Sequence, residues 1–170
     1  MKNFKALLLT FAVIFSIASN AQRLAYVDSQ QILSKIPEYA QAQGQLDNMA
    51  KTWESEVSKL RAEIDVMEKE YQAEKVLLTP KLQEEKELEL DLKRKAALEL
   101  QRKYFGPDGE LFKKRQELIK PIQDQIFNAV QDVATKRKYD MVFDKSGAIT
   151  LLYVKTSLDI SDEVLETMGY

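Results

Sequence analysis

Leu77-Leu78-Thr79-Pro80, LLTP, interrupts a hundred-residue stretch of charged, helix-patterned sequence, and its reading decides the fold. Thr79 suits a helix N-cap and Pro80 the first helical position, so the pair marks a restart. Before it, Leu46, Met49, Trp53, Val57, Leu60, Ile64, Met67 and Tyr71 recur at threes and fours as one apolar stripe. The consecutive fours from Met49 through Trp53 to Val57 break a strict heptad. After it, Leu88, Leu92, Ala96, Leu100 and Tyr104 make a second stripe. A further interruption, Phe105-Gly106-Pro107-Asp108-Gly109, follows, and then Ile119, Ile122, Ile126, Val130 and Val133 form the apolar face of a last long helix. Turning the chain at Gly106 would set an outgoing helix of about 100 Å against a returning one of about 45 Å. Turning at Thr79 gives an outgoing arm of about 60 Å that the returning segments cover. The expected fold is therefore an antiparallel helical hairpin with its tip at Thr79. The Phe105 break is then a hinge or a tolerated surface loop in the returning arm, the loop being the plainer reading.

Both ends of the chain change character. Leu24 to Asp28 reads as a strand, and Ser29 as the N-cap of a short helix stopped by Pro37. Tyr139 to Asp144 and Ile149 to Val154 read as two strands joined by a turn at Lys145 to Gly147. Ser161 reads as the cap of a final helix that Gly169 ends. The class is α+β and mostly α, with residues 38–114 as a coiled-coil arm and residues 22–37 with 115–170 as a small β body.

Composition removes several kinds of chemistry. The 170 residues contain no Cys and no His, so thiol catalysis, disulfides and the usual general base are absent. Asp and Glu are scattered through helix repeats, where a solvated face is the plain reading, so no catalytic, cofactor or metal residue is assigned and no enzyme is expected. Lys2 and Lys5 precede an apolar run from Ala6 to Ala18, with small residues up to Ala21. That is the pattern of a cleaved signal peptide over residues 1–21, and it implies a soluble periplasmic product. Losing both lysines takes the net charge from −2 to −4, which gives no general reason to bind nucleic acid.

Three short strands with open edges make a poor independent sheet. Closed symmetric assembly answers this, with strands from several subunits sharing one small barrel. A signal peptide, "LAYVDSQQILSKIPEY" at 24–39, a charged helical hairpin, "YDMVFDKSGAITLLYV" at 139–154 and "SLDISDEVLETMGY" at 157–170 stand in that order. Together they resemble the Skp/OmpH family of periplasmic chaperones over essentially the whole mature chain. The resemblance implies a jellyfish-like homotrimer, a β-barrel body carrying three arms around a cavity. It also implies ATP-independent binding of unfolded outer-membrane proteins there. Two features depart from the family pattern: the mildly acidic balance and the YFGPDGEL interruption.

In the shared body the expected buried residues are Leu24, Tyr26, Val27, Met141, Val142, Phe143, Ile149, Leu151 and Val154. Trp53 and Tyr71 lie on the outgoing stripe and read as packing within the arm. Val66, Val76 and Leu77 lie off it and are the candidate client contacts. Gln83 reads as an arm-surface position that tolerates substitution. The basic cluster Lys93-Arg94-Lys95 with Arg102-Lys103 is a solvated face or, on a sharper reading, a contact for lipopolysaccharide or a membrane surface. The second functional reading is a structural coiled-coil protein that spaces or bridges envelope components.

Overall fold

The computed structural model describes residues 22–147 and 151–170. The expected signal peptide over residues 1–21 and the expected body residue Ile149 lie outside them. Strand β1 (Leu24–Val27) leads into helix α1 (Ser29–Lys35). The cap of α1 is Asp28, whose Oδ1 accepts from the Gln31 amide at 3.0 Å. Ser29, expected to be the cap, is already helical, and its hydroxyl goes to Asp144 instead. Pro37 does more than stop α1. It occupies the first turn of helix α2 (Pro37–Glu74), where its missing N–H is harmless. A 3-10 turn (Lys75–Leu77) and extended Leu78 follow, and Thr79 caps helix α3 (Pro80–Phe105) by accepting from the Leu82 amide at 3.4 Å. The hairpin turns where the sequence places it.

Helix α4 (Glu110–Arg137) leads to strand β2 (Met141–Asp144), and the chain ends in a 3-10 turn (Thr156–Leu158) and helix α5 (Ser161–Met168). Strands β1 and β2 pair in parallel, Leu24 with Met141 through Val27 with Asp144. A parallel pair needs a long crossover, and here the helical section between the strands supplies it.

The expected third strand is not formed among the described residues: Leu151 to Val154 carries no strand pairing. Strand β1 cannot accept it, because β2 holds one edge and a bridge from Tyr26 to Asp159 holds the other. Among the described residues β2 pairs with β1 alone, and Leu152 and Tyr153 are 95% and 82% exposed. Within one chain, a strand added there would bury nothing and gain little.

The described residues cluster into two compact units, one within Met1–Ile32 and Asn128–Tyr170 and the other Leu33–Phe127. The first buries Tyr26, Val27, Ile32, Val133, Ile160, Val164 and Leu165. Ser161 is buried among them. The sequence assigns it as a helix cap, but its Oγ donates to Asp159 Oδ1 at 2.6 Å and accepts the Asp28 amide at 2.9 Å. A buried backbone N–H needs an acceptor, and that need outranks capping. Gly169 sits at φ 93°, with its N–H on Glu166 O, and ends α5 as expected.

Asp144 ties the end of β2 to the start of α1. It accepts from the Ser29 amide and hydroxyl (3.2 and 2.7 Å) and from the Ser146 amide and hydroxyl (3.0 and 2.7 Å). Burial pushes its pKa up, but the bonds from Ser29 and Ser146 outweigh this and hold it below the usual carboxylate value. A depressed folded-state pKa gives stability that is present above the unfolded value and lost as pH falls through the folded one. Asp144→Asn should therefore flatten the dependence of melting temperature on pH below about pH 4. Melts from pH 7 to pH 2 check this; a parent curve and a variant curve of equal slope would contradict it.

Candidate functional site

The arm unit is held together by a mixed interface. From α2, Val57, Ile64 and Tyr71 are buried, with Trp53, Leu60 and Met67 half-buried; from α3, Leu90 and Ala97 are buried, with Leu100 and Tyr104 half-buried. Polar groups interlock between them. Arg61 donates to Gln101 at 2.6 Å, Arg94 pairs with Glu68, and the Tyr104 hydroxyl donates to Glu56 at 2.7 Å. Trp53 stacks on Tyr104 with ring centroids 4.9 Å apart and planes 6° from parallel. The reading of Trp53 and Tyr71 as packing residues within the arm agrees with this geometry.

The stripe expected on α3 does not. Leu88 and Leu92 are 59% and 58% exposed, and Ala96 is exposed. The face turned toward α2 and the tip runs instead through Gln83, Glu87, Leu90, Arg94, Ala97, Gln101 and Tyr104. Four of these seven are polar or charged, and their heads bond to residues at or before the tip. A search for apolar periodicity passes over such a face and selects the leucines that point outward.

At the tip, the Tyr71 hydroxyl donates to Glu87 at 2.5 Å and Lys75 Nζ lies 3.1 Å from the same oxygen. The Tyr71 bond first, and then Lys75, hold the Glu87 carboxyl below its usual pKa. The Gln83 amide donates to the carbonyls of Lys75 (2.9 Å) and Leu78 (3.2 Å), at either end of the 3-10 turn, where the Lys75 carbonyl also accepts the Leu78 amide at 3.3 Å. Gln83 is thus a clasp rather than a free surface position. Gln83→Ala should cost about 1 kcal/mol and speed amide exchange around Leu78 to Leu82, as hydrogen-exchange mass spectrometry would read.

This clasp fixes the turn that carries Val76 and Leu77, which are 88% and 83% exposed. Val66 is also exposed, beside Ala62 and Met67 in a shallow trough on α2. All three residues singled out from the sequence therefore stand in solvent. Leu82, Leu88, Leu92 and Leu98 of α3 join them. They lie on different sides of the helix, since 82, 88 and 98 differ by about 80° to 160° around its axis. The arm presents scattered apolar points in a charged surface, not one continuous patch. In the basic cluster, Arg94 pairs with Glu68 and Lys95 with Asp91.

Of the residues expected in the body, Tyr26 and Val27 are buried in the sheet unit, Val142, Phe143, Leu151 and Val154 are half-buried, and Leu24 and Met141 are exposed. Among the described residues, no group of three His, Cys, Asp or Glu is placed to hold a metal ion, and no helix is long and apolar enough to cross a membrane.

A charged antiparallel hairpin with exposed apolar points, in a chain that also builds a two-stranded parallel sheet, defines the class: a helical-arm protein with a small α/β unit. Residues 23–168 match the outer membrane protein (OmpH-like) family, and the chain belongs to it. Its fold is similar to that of a protein from Caulobacter crescentus CB15 named as an OmpH-like outer membrane chaperone, with a TM-score of 0.65 and 14% identity over 89% of this chain and 86% of that one. No curated protein matches the sequence.

Proposed function

We propose that the protein is an ATP-independent holdase of the periplasm that binds unfolded outer-membrane proteins and keeps them from aggregating. The observation that carries this reading is the distribution of Val66, Val76, Leu77, Leu82, Leu88, Leu92 and Leu98 over several sides of a charged arm. A folded partner is met by one complementary patch; scattered points among solvated charges suit a chain with no fixed shape. Family membership and the name of the Caulobacter protein support the same reading. The pairing of Arg94 and Lys95 with carboxylates leaves a lipopolysaccharide contact less support than the bare count of basic residues does.

The working form of this proposal is a homotrimer whose arms surround a client. Its support is exposed Met141, Leu152 and Tyr153, apolar surface that neighbouring copies would cover, together with a β2 that among the described residues pairs with β1 alone. Val142→Asp tests this. Val142 is only half-buried and lies in register with Ala25, so in one chain an Asp there keeps access to water. In a shared body it would bury an unpaired charge. Light scattering should give a trimer for the parent and a monomer, with unchanged helix content, for the variant.

The function is tested by diluting an unfolded outer-membrane β-barrel protein into the mature chain without nucleotide. Soluble client at stoichiometric ratio is the expected result. Aggregation at the rate of client alone, with tight binding of a single folded envelope component instead, would replace the holdase with an envelope spacer.

A further inference from the structure

We infer that the Gly106–Gly109 break is a phase-correcting joint: it resets the inward face of the returning helix opposite a matching change of period in α2, and the Trp53–Tyr104 stack locks the two together. Between the joint and the tip, buried residues recur at sevens on both sides of the hairpin, Val57, Ile64 and Tyr71 on α2 and Leu90 and Ala97, then half-buried Tyr104, on α3. On α4, Ile119 and Ile126 are again seven apart. Tyr104 and Ile119, however, are fifteen apart, one residue more than two heptads. On α2 the buried residues Leu46 and Val57 are eleven apart, a heptad with four residues inserted.

The two irregularities face each other. Trp53 lies inside the eleven-residue interval, and Tyr104, which stacks on it, is the residue before the last of α3. The Tyr104 hydroxyl adds its bond to Glu56 on the next turn of α2, and Phe105 meets the Tyr104 ring edge-on at 6.3 Å. Fifteen residues of unbroken helix, at about 100° each, would carry Ile119 about 60° off the face of Tyr104. The break absorbs that rotation.

Its conformation is sterically specified. A Cβ on Gly106 would lie 2.5 Å from the Arg102 carbonyl oxygen, and one on Gly109 would lie 2.8 Å from both Gly106 N and Tyr104 O. Backbone bonds close the loop at both ends, Gly106 N to Arg102 O at 2.8 Å and Lys113 N to Gly109 O at 3.1 Å. An indifferent surface insertion would tolerate side chains at these positions. The joint therefore fixes the direction in which Val66, Leu88 and Leu92 face relative to the first part of α4.

The test replaces Gly106-Pro107-Asp108-Gly109 by four alanines in the mature chain, which favours unbroken helix locally. Gly44→Ala is the control: Gly44 is exposed within α2, nothing lies within 4 Å of where a Cβ would stand, and the change should raise the melting temperature. The four-alanine chain should instead melt lower by about 5 °C or more. Emission from Trp53, the chain's one tryptophan, should shift to the red as the stack opens. A three-alanine replacement, which returns Ile119 to two heptads from Tyr104, should melt above the four-alanine chain. A four-alanine chain that melts at or above the parent, an unchanged Trp53 spectrum, or the reverse order of the two replacements would overturn the inference.

Discussion

A chain with glutamine at Val66, Val76, Leu77, Leu88, Leu92 and Leu98 together is expected to melt close to the parent and yet to let an unfolded β-barrel client aggregate as if no chaperone were present. All six residues are exposed, so their loss removes little from the folded core. Glutamine is close to leucine in helix propensity, which keeps the backbone cost small. Binding is where the loss collects. Burying such a side chain against a client contributes about 1–2 kcal/mol, so any one change weakens binding by roughly a factor of ten. Six changes act on every arm of an assembly, and linked contacts lose affinity together just as they gain it together. Aggregation assays on the six single variants and the combined one make the check. A combined variant that still protects at stoichiometric ratio would place the binding elsewhere, on the sheet unit or on the paired charges.

Val164→Asp should have the largest effect on stability, about 4 kcal/mol or more. Val164 has no exposure at all, and Ile32, Ile160 and Leu165 are buried in the same unit. A carboxylate there would be cut off from water among apolar side chains, in contrast to Asp144 and Asp159, which accept from serine hydroxyls and amides. The contrast with Val142→Asp is diagnostic: the Val164 change should unfold the sheet unit whatever the oligomeric state, whereas the Val142 change should act through assembly. Denaturant titration followed by circular dichroism separates them. A Val164→Asp chain with an unshifted midpoint would mean that the packing around α5 carries little of the stability.

The hairpin was legible in the sequence because its signals are local. Thr79 and Pro80 announce a helix start through capping and a missing N–H, and an apolar stripe with a period near 3.6 needs no knowledge of its partner. The stripe of α2 and the stop at Gly169 follow from the same short-range chemistry. The inward face of α3 was not legible. Glu87, Arg94 and Gln101 sit on it because Tyr71, Glu68 and Arg61 stand opposite, and periodicity along one helix carries no record of what faces it. Gln83 and Ser161 each serve a backbone group that apolar periodicity does not reveal, Gln83 the carbonyls of the turn after α2 and Ser161 the amide of Asp28 just after β1. The third strand shows the limit from the other side. Its residues have the right composition, but a strand needs a surface to cover it as well as an edge to pair with, and Leu152 and Tyr153 stand in solvent. The sequence by itself determined where the hairpin turns, where the last helix ends and that the family's end motifs are present. The tertiary structure alone decided which side chains those helices bury and which they leave in water, because burial and hydrogen bonding are properties of pairs of segments and not of either one.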